Sequence, residues 1–466
     1  MHMHSYWSDG NAFPEQAADM YRQAGYHFLA FTEHNAFAAD TNRWRAVAVS
    51  GGIPQTRFDD YVAAFSNEVV SKVEGGVTNV RLKTYAEVKA RFDAAGRFLV
   101  MPGQEITQTV SAPEAHPAGV QLHMNAMNIP AALPYGVPGG YTPTQMIGYN
   151  AALAAASGVA PQRFTVALNH PFWVFCDIVP QNLIDRPEIR FFEVCNGGSS
   201  YALPAGAENY TCEKFWDSVN AFRRIQGKPL LFALGTDDAH HYVAPEMNYA
   251  DGFGSAWVEV RSPELTPEAI TAALHAGDFY ATCGVLLEDV AFTAASRTLR
   301  VKVQAAEGVT YRICFIATKR NFNQTVSYVS SPANGSQPAR TIPVYSDEVG
   351  QAVKTVDGTE ASYQMASDDL YVRARVESSL PGKFTRNFYP AVQTAWTQPY
   401  AVAEPVGLTP ASESSSALPS SLNTQTRLDK QGVPGLALGL VGYSSAWSDT
   451  ASFSTKRLPG LLFLCL

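Results

Sequence analysis

Histidine and carboxylate side chains recur in this sequence where short apolar runs end. The chain begins with His2-Met3-His4, and Asp9 follows in the next turn. Alternate residues of an extended strand point to the same face, so His2 and His4 would present two imidazoles beside the Asp9 carboxylate. Such a set can begin a cation site, although a His-x-His pair also occurs by chance in structural or tag-like segments.

Later apolar runs carry the same residue types in five further motifs. These motifs are Thr32-Glu33-His34-Asn35, Gly103-Gln104-Glu105, Leu122-His123-Met124, Asn169-His170-Pro171 and Gly235-Thr236-Asp237-Asp238-Ala239-His240-His241. For any one residue, a helix cap or a loop hydrogen bond is the ordinary explanation. Nine imidazole or carboxylate residues at successive strand ends are less easily explained one by one in this way. Burying so many unpaired polar groups is costly unless a cation compensates them.

Imidazole and carboxylate without thiolate suit zinc, manganese, iron or a similar divalent ion. Nine candidate ligands exceed one tetrahedral site and therefore predict two or three metal ions. Cysteine does not offer an alternative site, because no C-x-x-C spacing occurs among the six cysteines, which argues against a thiolate zinc site and a dithiol redox motif. They are Cys176, Cys195, Cys212, Cys283, Cys314 and Cys465.

The elements that must position these residues alternate over residues 1–285. Strands are predicted at residues 28–32, 98–101, 121–125, 165–168, 190–194 and 230–234. Capping boxes predict helix starts at Thr84 with Glu87 and at Thr142 with Gln145. A further helix from about residue 212 is expected to stop at Gly227. This alternation predicts a mainly parallel sheet, and in a parallel barrel all strands open on one rim, where the motif residues would converge.

The pattern changes after a helix predicted between Thr266 and Gly277. Residues 286–405 contain short strand-like segments separated by turns rich in Asn, Gly and Ser, which predicts an antiparallel β-sandwich. Residues 406–466 are rich in Ser, Gly, Leu and Pro and lose periodicity, which predicts a disordered tail. The domains expected are therefore a barrel over 1–285, a sandwich over 286–405 and the tail.

Charge and hydropathy exclude other classes of protein. The formal net charge is −8 and no run of Lys or Arg occurs, so a nucleic-acid partner is not expected. No stretch of about 18 apolar residues is present, so a membrane span is not expected. The first residues also lack the charged and then apolar segments of a signal peptide.

In their order along the chain, HMHSYWSDG, TEHN, GQE, LHM, NHP and GTDDAH resemble the motifs of the polymerase and histidinol phosphatase (PHP) superfamily of metallohydrolases. The resemblance covers residues 1 to about 285. It implies an α/β fold, a distorted (β/α)7 TIM-like barrel with a site for two or three metal ions. Carried over position by position, it implies the metal ligands His2, His4, Asp9, His34, Glu105, His123, His170, Asp238 and His240.

The β-rich region and the strand end at residues 193–197 also resemble the carbaryl-hydrolase-like branch of that superfamily. Two features depart from the family pattern. Glu33 stands where the family has Asp, which is expected to alter a hydrogen bond to a ligand. In the family, the first strand begins before the His-x-His pair, whereas here the pair stands at residues 2–4. This difference predicts either further residues upstream or a truncated first strand. If upstream residues held a signal peptide, a secreted or periplasmic location would follow.

These residues and the resemblance predict a metal-dependent hydrolase acting on a small-molecule ester. Water bridging two divalent ions would lose a proton near neutral pH and attack phosphorus or a carbonyl carbon, with Asp238, His240 and His170 as catalytic residues. A phosphoester is the expected substrate. The alternatives are a carbamate or aryl ester on the same metals, a non-catalytic metal-stabilised binding module, and an amidohydrolase, whose pattern fits Glu105 less well.

Residues near the motifs are candidates for substrate contact. His241 follows the last ligand, and Arg43 and Arg45 could neutralise a phosphoryl group, unless they lie in a solvated loop. An apolar leaving-group pocket could use aromatic side chains, unless these simply pack the loops. The aromatic candidates are Tyr6, Trp7 and Trp173. His116 is either a loop residue or a further contact at the site.

Overall fold

The structure, a computed structural model, describes residues 1–37, 39, 42–110, 120–134, 141–155, 160, 163–173, 176, 178–199, 211–243, 251–331, 339–384, 389–402 and 462–465. Seven α-helices lie in these ranges: α1 Pro14–Gln23, α2 Gln55–Phe65, α3 Tyr85–Phe92, α4 Pro143–Ala155, α5 Pro180–Ile184, α6 Cys212–Ile225 and α7 Pro267–Ala276.

Twenty-two strands accompany them. The first twelve are β1 Phe28–Ala30, β2 Trp44–Ala46, β3 Ser71–Glu74, β4 Val77–Arg81, β5 Leu99–Met101, β6 Gly103–Val110, β7 Val120–Met127, β8 Thr165–Leu168, β9 Phe191–Asn196, β10 Phe232–Thr236, β11 Trp257–Ser262 and β12 Phe279–Thr282. The others are β13 Leu287–Thr293, β14 Thr298–Val303, β15 Tyr311–Lys319, β16 Val326–Ser331, β17 Arg340–Tyr345, β18 Gln351–Asp357, β19 Glu360–Gln364, β20 Asp369–Pro381, β21 Val392–Thr397 and β22 Leu462–Cys465.

Local sequence signals begin and end the helices as predicted. Before α3 the Thr84 hydroxyl accepts the Glu87 N–H at 3.2 Å, while the Glu87 carboxylate accepts the Thr84 N–H at 2.7 Å. Thr142 and Gln145 form the same reciprocal pair before α4. Helix α7 ends at Gly277, whose φ of 78° is left-handed and suits glycine. The predicted capping boxes and this glycine stop are confirmed.

The sheet nearest the predicted site is mixed. Its order is β10-β9-β8-β7-β6, with β8, β9 and β10 parallel but β6 antiparallel to β7 and β7 antiparallel to β8. Strand β1 pairs with β5 in a separate two-stranded parallel sheet. Single bridges connect Met3 to Ala239 and His34 to Glu105. The N-terminal segment and the ends of β1, β6 and β10 therefore lie side by side.

The predicted distorted (β/α)7 TIM-like barrel is wrong, because the described strands do not close into a barrel. Strand accounts for 38% of the described residues and helix for 22%, whereas a (β/α)7 barrel needs a helix after each strand. The physical reason lies in β6, β7 and β8, which pair directly as antiparallel neighbours. A (β/α)7 barrel requires parallel neighbours, so these antiparallel pairs interrupt its strand–helix repeat even though α4 lies between β7 and β8 in sequence.

The region after residue 285 is antiparallel, with strand orders β18-β15-β20-β21-β12-β11-β22 and β13-β14-β19 in two sheets that share an apolar cluster. Strands β11 and β12 precede residue 285 and pair with β22 and β21, so the larger sheet crosses the predicted boundary. The division at that residue stays a prediction. Of the predicted tail, the structure describes only the backbone of β22, and residues 406–461 and 466 lie outside the described residues.

A buried ionic network joins α6 to β20. Arg373 is 1% exposed, and its guanidinium lies 2.6 Å from Asp217 Oδ2 and 2.7 Å from Glu213 Oε2. Tyr371 also donates to Asp217 Oδ1 at 2.8 Å. Because each charge has a partner, the network can be buried between the helix and the larger sheet.

No helix in the described ranges has both the length and the apolar character needed to span a membrane.

Glu259 on β11 predicts a pH dependence of stability. Burial raises its pKa from about 4.5 to about 7, although the hydrogen bond from Trp257 Nε1 acts in the opposite direction. Between these values the folded protein holds a proton that the unfolded chain releases, so stability falls as pH rises through the window. Glu259→Gln is expected to remove this loss, making the variant more stable at pH 8 by on the order of 2 kcal/mol in urea unfolding. The assignment would be contradicted if the wild type were the more stable protein at pH 8. It would also be contradicted if the difference in free energy of unfolding between Glu259→Gln and the wild type were the same at pH 4 as at pH 8.

Candidate metal centre

The nine predicted ligands form one cluster, named here the nine-residue cluster. Glu105 on β6 occupies its middle and faces five imidazoles. The nitrogen to carboxylate oxygen distances are 2.6 Å for His34, 3.1 Å for His2, 3.2 Å for His123, 3.5 Å for His4 and 3.6 Å for His170. Residues from the N-terminal segment, from β6 and β7, and from the segments that follow β1 and β8 thus meet around one carboxylate.

Two further carboxylates complete the cluster. Asp238 Oδ1 lies 3.1 Å from His2 Nε2 and 3.2 Å from His4 Nε2. Asp9 lies 3.4 Å from His240 Nε2 and 3.5 Å from His34 Nε2. Donor atoms within 4.8 Å of one another define three overlapping groups: His4, Asp9, His34 and His240; His2, His4 and Asp238; and His34, Glu105 and His123.

Several buried atoms in the cluster have no hydrogen-bond partner. They are His2 Nε2, His4 Nε2, Glu105 Oε2 and His123 Nδ1. His2 Nε2, for example, lies 3.1 Å from two carboxylate oxygens but has hydrogen-bond geometry to neither. A buried polar atom without a partner costs about 1–3 kcal/mol, and a divalent cation would satisfy all four. The donor set therefore fits zinc, manganese or iron.

Opposed electrostatic effects act within the cluster. Burial lowers the pKa of His2 and His240, but neighbouring carboxylates outweigh burial and raise them to about 10 and about 9. For His4, burial reinforced by His240 lowers the pKa to about 3. Burial alone would raise the pKa of Glu105 and Asp238, but the imidazoles hold both well below the usual range. Glu105 and Asp238 are therefore ionised at neutral pH.

Two of the predicted ligands have unusual backbone geometry. His170 and Asp238 adopt positive φ values of 22° and 50°, a left-handed conformation that costs energy for residues other than glycine. Each follows the end of a strand, β8 or β10, where a sharp turn redirects the side chain. Such strain concentrates at functional sites, where the surrounding structure maintains it.

Sequence reasoning missed two buried residues beside the cluster. The Asn169 amide donates to Glu105 Oε1 at 2.7 Å, and its position next to His170 was an available signal. Glu193 on β9 lies 2.7 Å from His2 Nδ1. Glu193 belongs to an otherwise apolar run, and only the strand end at residues 193–197 could have identified it. Burial acts to raise the Glu193 pKa, but His2 and His170 outweigh it and lower the pKa.

Glu33, which departs from the family pattern, supports the first motif from outside the cluster. Its carboxylate accepts the Ser5 N–H at 3.1 Å and the Ser5 hydroxyl at 2.7 Å. It also accepts a hydrogen bond from Ser8, whose hydroxyl oxygen lies 3.1 Å from His4 Nδ1. Glu33 therefore reaches a ligand indirectly, through Ser8.

Four of the predicted substrate residues pack the N-terminal loop. Arg43 donates to the Trp7 carbonyl, and Arg45 donates to the Tyr6 carbonyl at 3.2 Å. The Trp7 indole is buried and donates to the Lys83 carbonyl at 2.7 Å. Tyr6 is also buried, with the Arg45 guanidinium 5.8 Å from its ring centroid. These contacts favour loop packing as the role of all four.

Trp173 and His241 adjoin the cluster. The Trp173 ring centroid lies 5.1 Å from that of His123 and 5.3 Å from that of His170. His241 is partly exposed, and its Nδ1 lies 3.5 Å from Asp251 Oδ1. Trp173 thus packs against two of the nine residues, whereas the described contact of His241 is with Asp251, which also lies 3.8 Å from His240. His116 lies outside the described residues.

Comparison with known proteins does not assign the chain to a family. No family model matches it, and no curated protein matches it. The resemblance to the PHP superfamily and to its carbaryl-hydrolase-like branch therefore stays a prediction carried by the motifs themselves.

Proposed function

We propose that this protein is a metal-dependent hydrolase of small-molecule esters, of the PHP superfamily, and that a phosphoester is its main substrate class. The observation that carries the proposal is the set of buried atoms on His2, His4, Glu105 and His123 that lack a hydrogen-bond partner. A cation is the simplest partner for imidazole nitrogens and carboxylate oxygens packed this closely in a buried cluster.

Two or three divalent ions bound there would supply an activated water and polarise an ester oxygen. The chain's own residues would hold the ions and manage protons. Asp238 and His170 are buried and suited to holding, whereas the His240 side chain is 20% exposed and its Nε2 lies 3.4 Å from the more exposed Asp9. Of the three predicted catalytic residues, His240 therefore lies nearest to solvent, with which a proton of the reaction would be exchanged.

A substrate panel tests this proposal. The full chain, loaded with Mn²⁺ or Zn²⁺, is assayed with p-nitrophenyl phosphate, bis-p-nitrophenyl phosphate and a naphthyl carbamate at several pH values. We expect metal-dependent release of nitrophenol from a phosphoester. A metal-loaded protein that turns over none of the three would overturn the proposal and favour the non-catalytic binding module.

Trp173 favours a second candidate, hydrolysis of a carbamate or aryl ester on the same metals. Its ring adjoins His123 and His170, and a flat aromatic leaving group could stack against it. Arg43 and Arg45, by contrast, donate to backbone carbonyls. Faster turnover of the naphthyl carbamate than of either phosphoester would favour this candidate.

Trp173→Ala tests the aromatic contact in either case. We expect KM for an aryl substrate to rise about 5- to 10-fold, because one aromatic contact contributes roughly 1 kcal/mol. The change in kcat should be smaller, since the indole holds the leaving group in the ground state and the transition state alike. Trp173→Phe, which keeps a ring, is the control and should retain most of the affinity. An unchanged KM in Trp173→Ala would remove Trp173 from the substrate site.

A further inference from the structure

Glu193 lies in a buried hydrogen-bond network beside the nine-residue cluster. Its Oε1 lies 2.7 Å from His2 Nδ1 and accepts the Thr236 hydroxyl at 2.8 Å. Its Oε2 accepts the His170 N–H and the Asn196 amide, both at 2.7 Å. The residue is 1% exposed, so these four partners take the place of water.

The network defines which atom of His2 is the donor. The His170 N–H and the Asn196 amide donate to Oε2 and the Thr236 hydroxyl donates to Oε1, so both oxygens of the Glu193 carboxylate act as acceptors. His2 Nδ1, on the same carboxylate, is therefore the donating nitrogen. In the neutral ring the lone pair then lies on Nε2, the atom 3.1 Å from the oxygens of Glu105 and Asp238.

Two other ligands depend on the same carboxylate. The His170 N–H that it accepts belongs to the residue with the strained φ of 22°. Asn196, which donates to Glu193, also lies 3.2 Å from Asp238 Oδ2 through the same amide nitrogen. Glu193 thus contacts the ring of His2, the backbone of His170 and, through Asn196, the carboxylate of Asp238.

We propose that Glu193 is a positioning residue of the metal centre, which fixes the His2 ring with Nδ1–H toward itself and Nε2 toward the metal. The inference rests on the proposed metal-dependent function and adds a residue outside the predicted ligand set. A carboxylate behind a ligating imidazole sets its tautomer and increases its basicity, and loss of such a partner costs about 10- to 100-fold in metal affinity.

Glu193→Gln in the full chain tests the inference without an assay of activity. Glutamine keeps the shape of the side chain but places an NH2 group against donors. We expect Co²⁺ to bind about 10- to 100-fold more weakly, measured by competition with a chromogenic chelator. The visible Co²⁺ spectrum of the saturated variant should also change, because His2 is a weaker or reoriented ligand. A role confined to folding would leave that spectrum as in the wild type.

Matched variants complete the design. Glu259→Gln makes the same change at another buried carboxylate, which accepts a hydrogen bond from Trp257, and this variant should bind Co²⁺ like the wild type. Thr236→Val removes one partner of Glu193 without touching His2 and should leave the spectrum unchanged. If Glu193→Gln does not fold, Glu193→Asp keeps the charge with a shorter reach and should still weaken Co²⁺ binding several-fold.

The outcomes separate the two proposals. The positioning role alone is overturned if the wild type binds Co²⁺ and Glu193→Gln binds it with an affinity within about twofold of the wild type and with an identical spectrum. If Glu193→Gln does not fold, the same result in Glu193→Asp overturns that role. A wild type that binds no Co²⁺ overturns the metal centre and the positioning role together.

Discussion

Glu105→Gln is expected to abolish stable metal binding and to lower kcat/KM by at least about 10³-fold, a loss of roughly 4 kcal/mol of transition-state stabilisation. The carboxylate faces five imidazoles at 2.6–3.6 Å and belongs to one of the three groups that can hold a metal. Glutamine removes its negative charge and puts an amide NH2 among nitrogens. Metal analysis after loading, together with rates on the best substrate of the panel, measures both effects.

The control for this variant is Glu259→Gln, which makes the same substitution at a buried site in the larger antiparallel sheet and should keep wild-type metal content. Alanine at Asp238 or His170 should repeat the loss, because both residues contact the same cluster. Full metal stoichiometry and rate in Glu105→Gln would contradict the central role assigned to this carboxylate.

Arg373→Met is expected to lower the free energy of unfolding by about 3–5 kcal/mol, the largest stability effect predicted for a single substitution here. The guanidinium is buried between Asp217 and Glu213, at 2.6 and 2.7 Å. Methionine fills part of the space but removes the guanidinium that pairs with the buried Asp217 carboxylate, whereas Glu213 keeps Arg375 at 3.1 Å. Urea unfolding at pH 7, followed by circular dichroism, measures the loss.

An exposed ion pair provides the control. Arg300 lies 2.8 Å from Glu360, with the two side chains 40% and 47% exposed. Arg300→Met should therefore change stability by less than about 1 kcal/mol, since solvent screens such pairs. Equal effects of the two substitutions would show that burial of the Arg373 network contributes nothing to the junction of α6 and β20.

Residue type, position at strand ends and the resemblance to the PHP motifs together named nine residues that the structure brings close to one another. His34, His170 and Asp238 each follow an apolar run, and the structure brings them to one cluster with the N-terminal histidines. This convergence does not require a closed barrel. The bridges of Met3 to Ala239 and of His34 to Glu105 show how neighbouring segments position ligands in a mixed set of sheets.

The barrel prediction was wrong because an apolar run does not encode strand direction. Residues 121–125 were correctly predicted as part of a strand, β7, but its pattern is the same for parallel and antiparallel pairing. Long-range register decided the outcome, as Glu105 pairs with Asn125 and Met124 with Leu168, both in antiparallel ladders. No local signal reports such pairings.

Glu193 escaped prediction for a related reason. A single carboxylate among Phe191, Phe192 and Val194 gives no periodic signal, and its role depends on partners from distant segments. His2 lies 191 residues away in sequence and Thr236 lies 43 residues away. Sequence reasoning finds residues that share a motif, whereas the residues that orient them become visible only once the strands are placed.

Metal stoichiometry is the most direct test of the central claim that the nine-residue cluster is a metal centre. The full chain is stripped with chelator, reloaded with Zn²⁺ or Mn²⁺, desalted and analysed by plasma mass spectrometry, with thermal unfolding measured before and after loading. We expect two or three ions per chain and a higher melting temperature, because ligands that bind the folded state stabilise it. Less than one ion per chain, with an unchanged melting temperature, would contradict it.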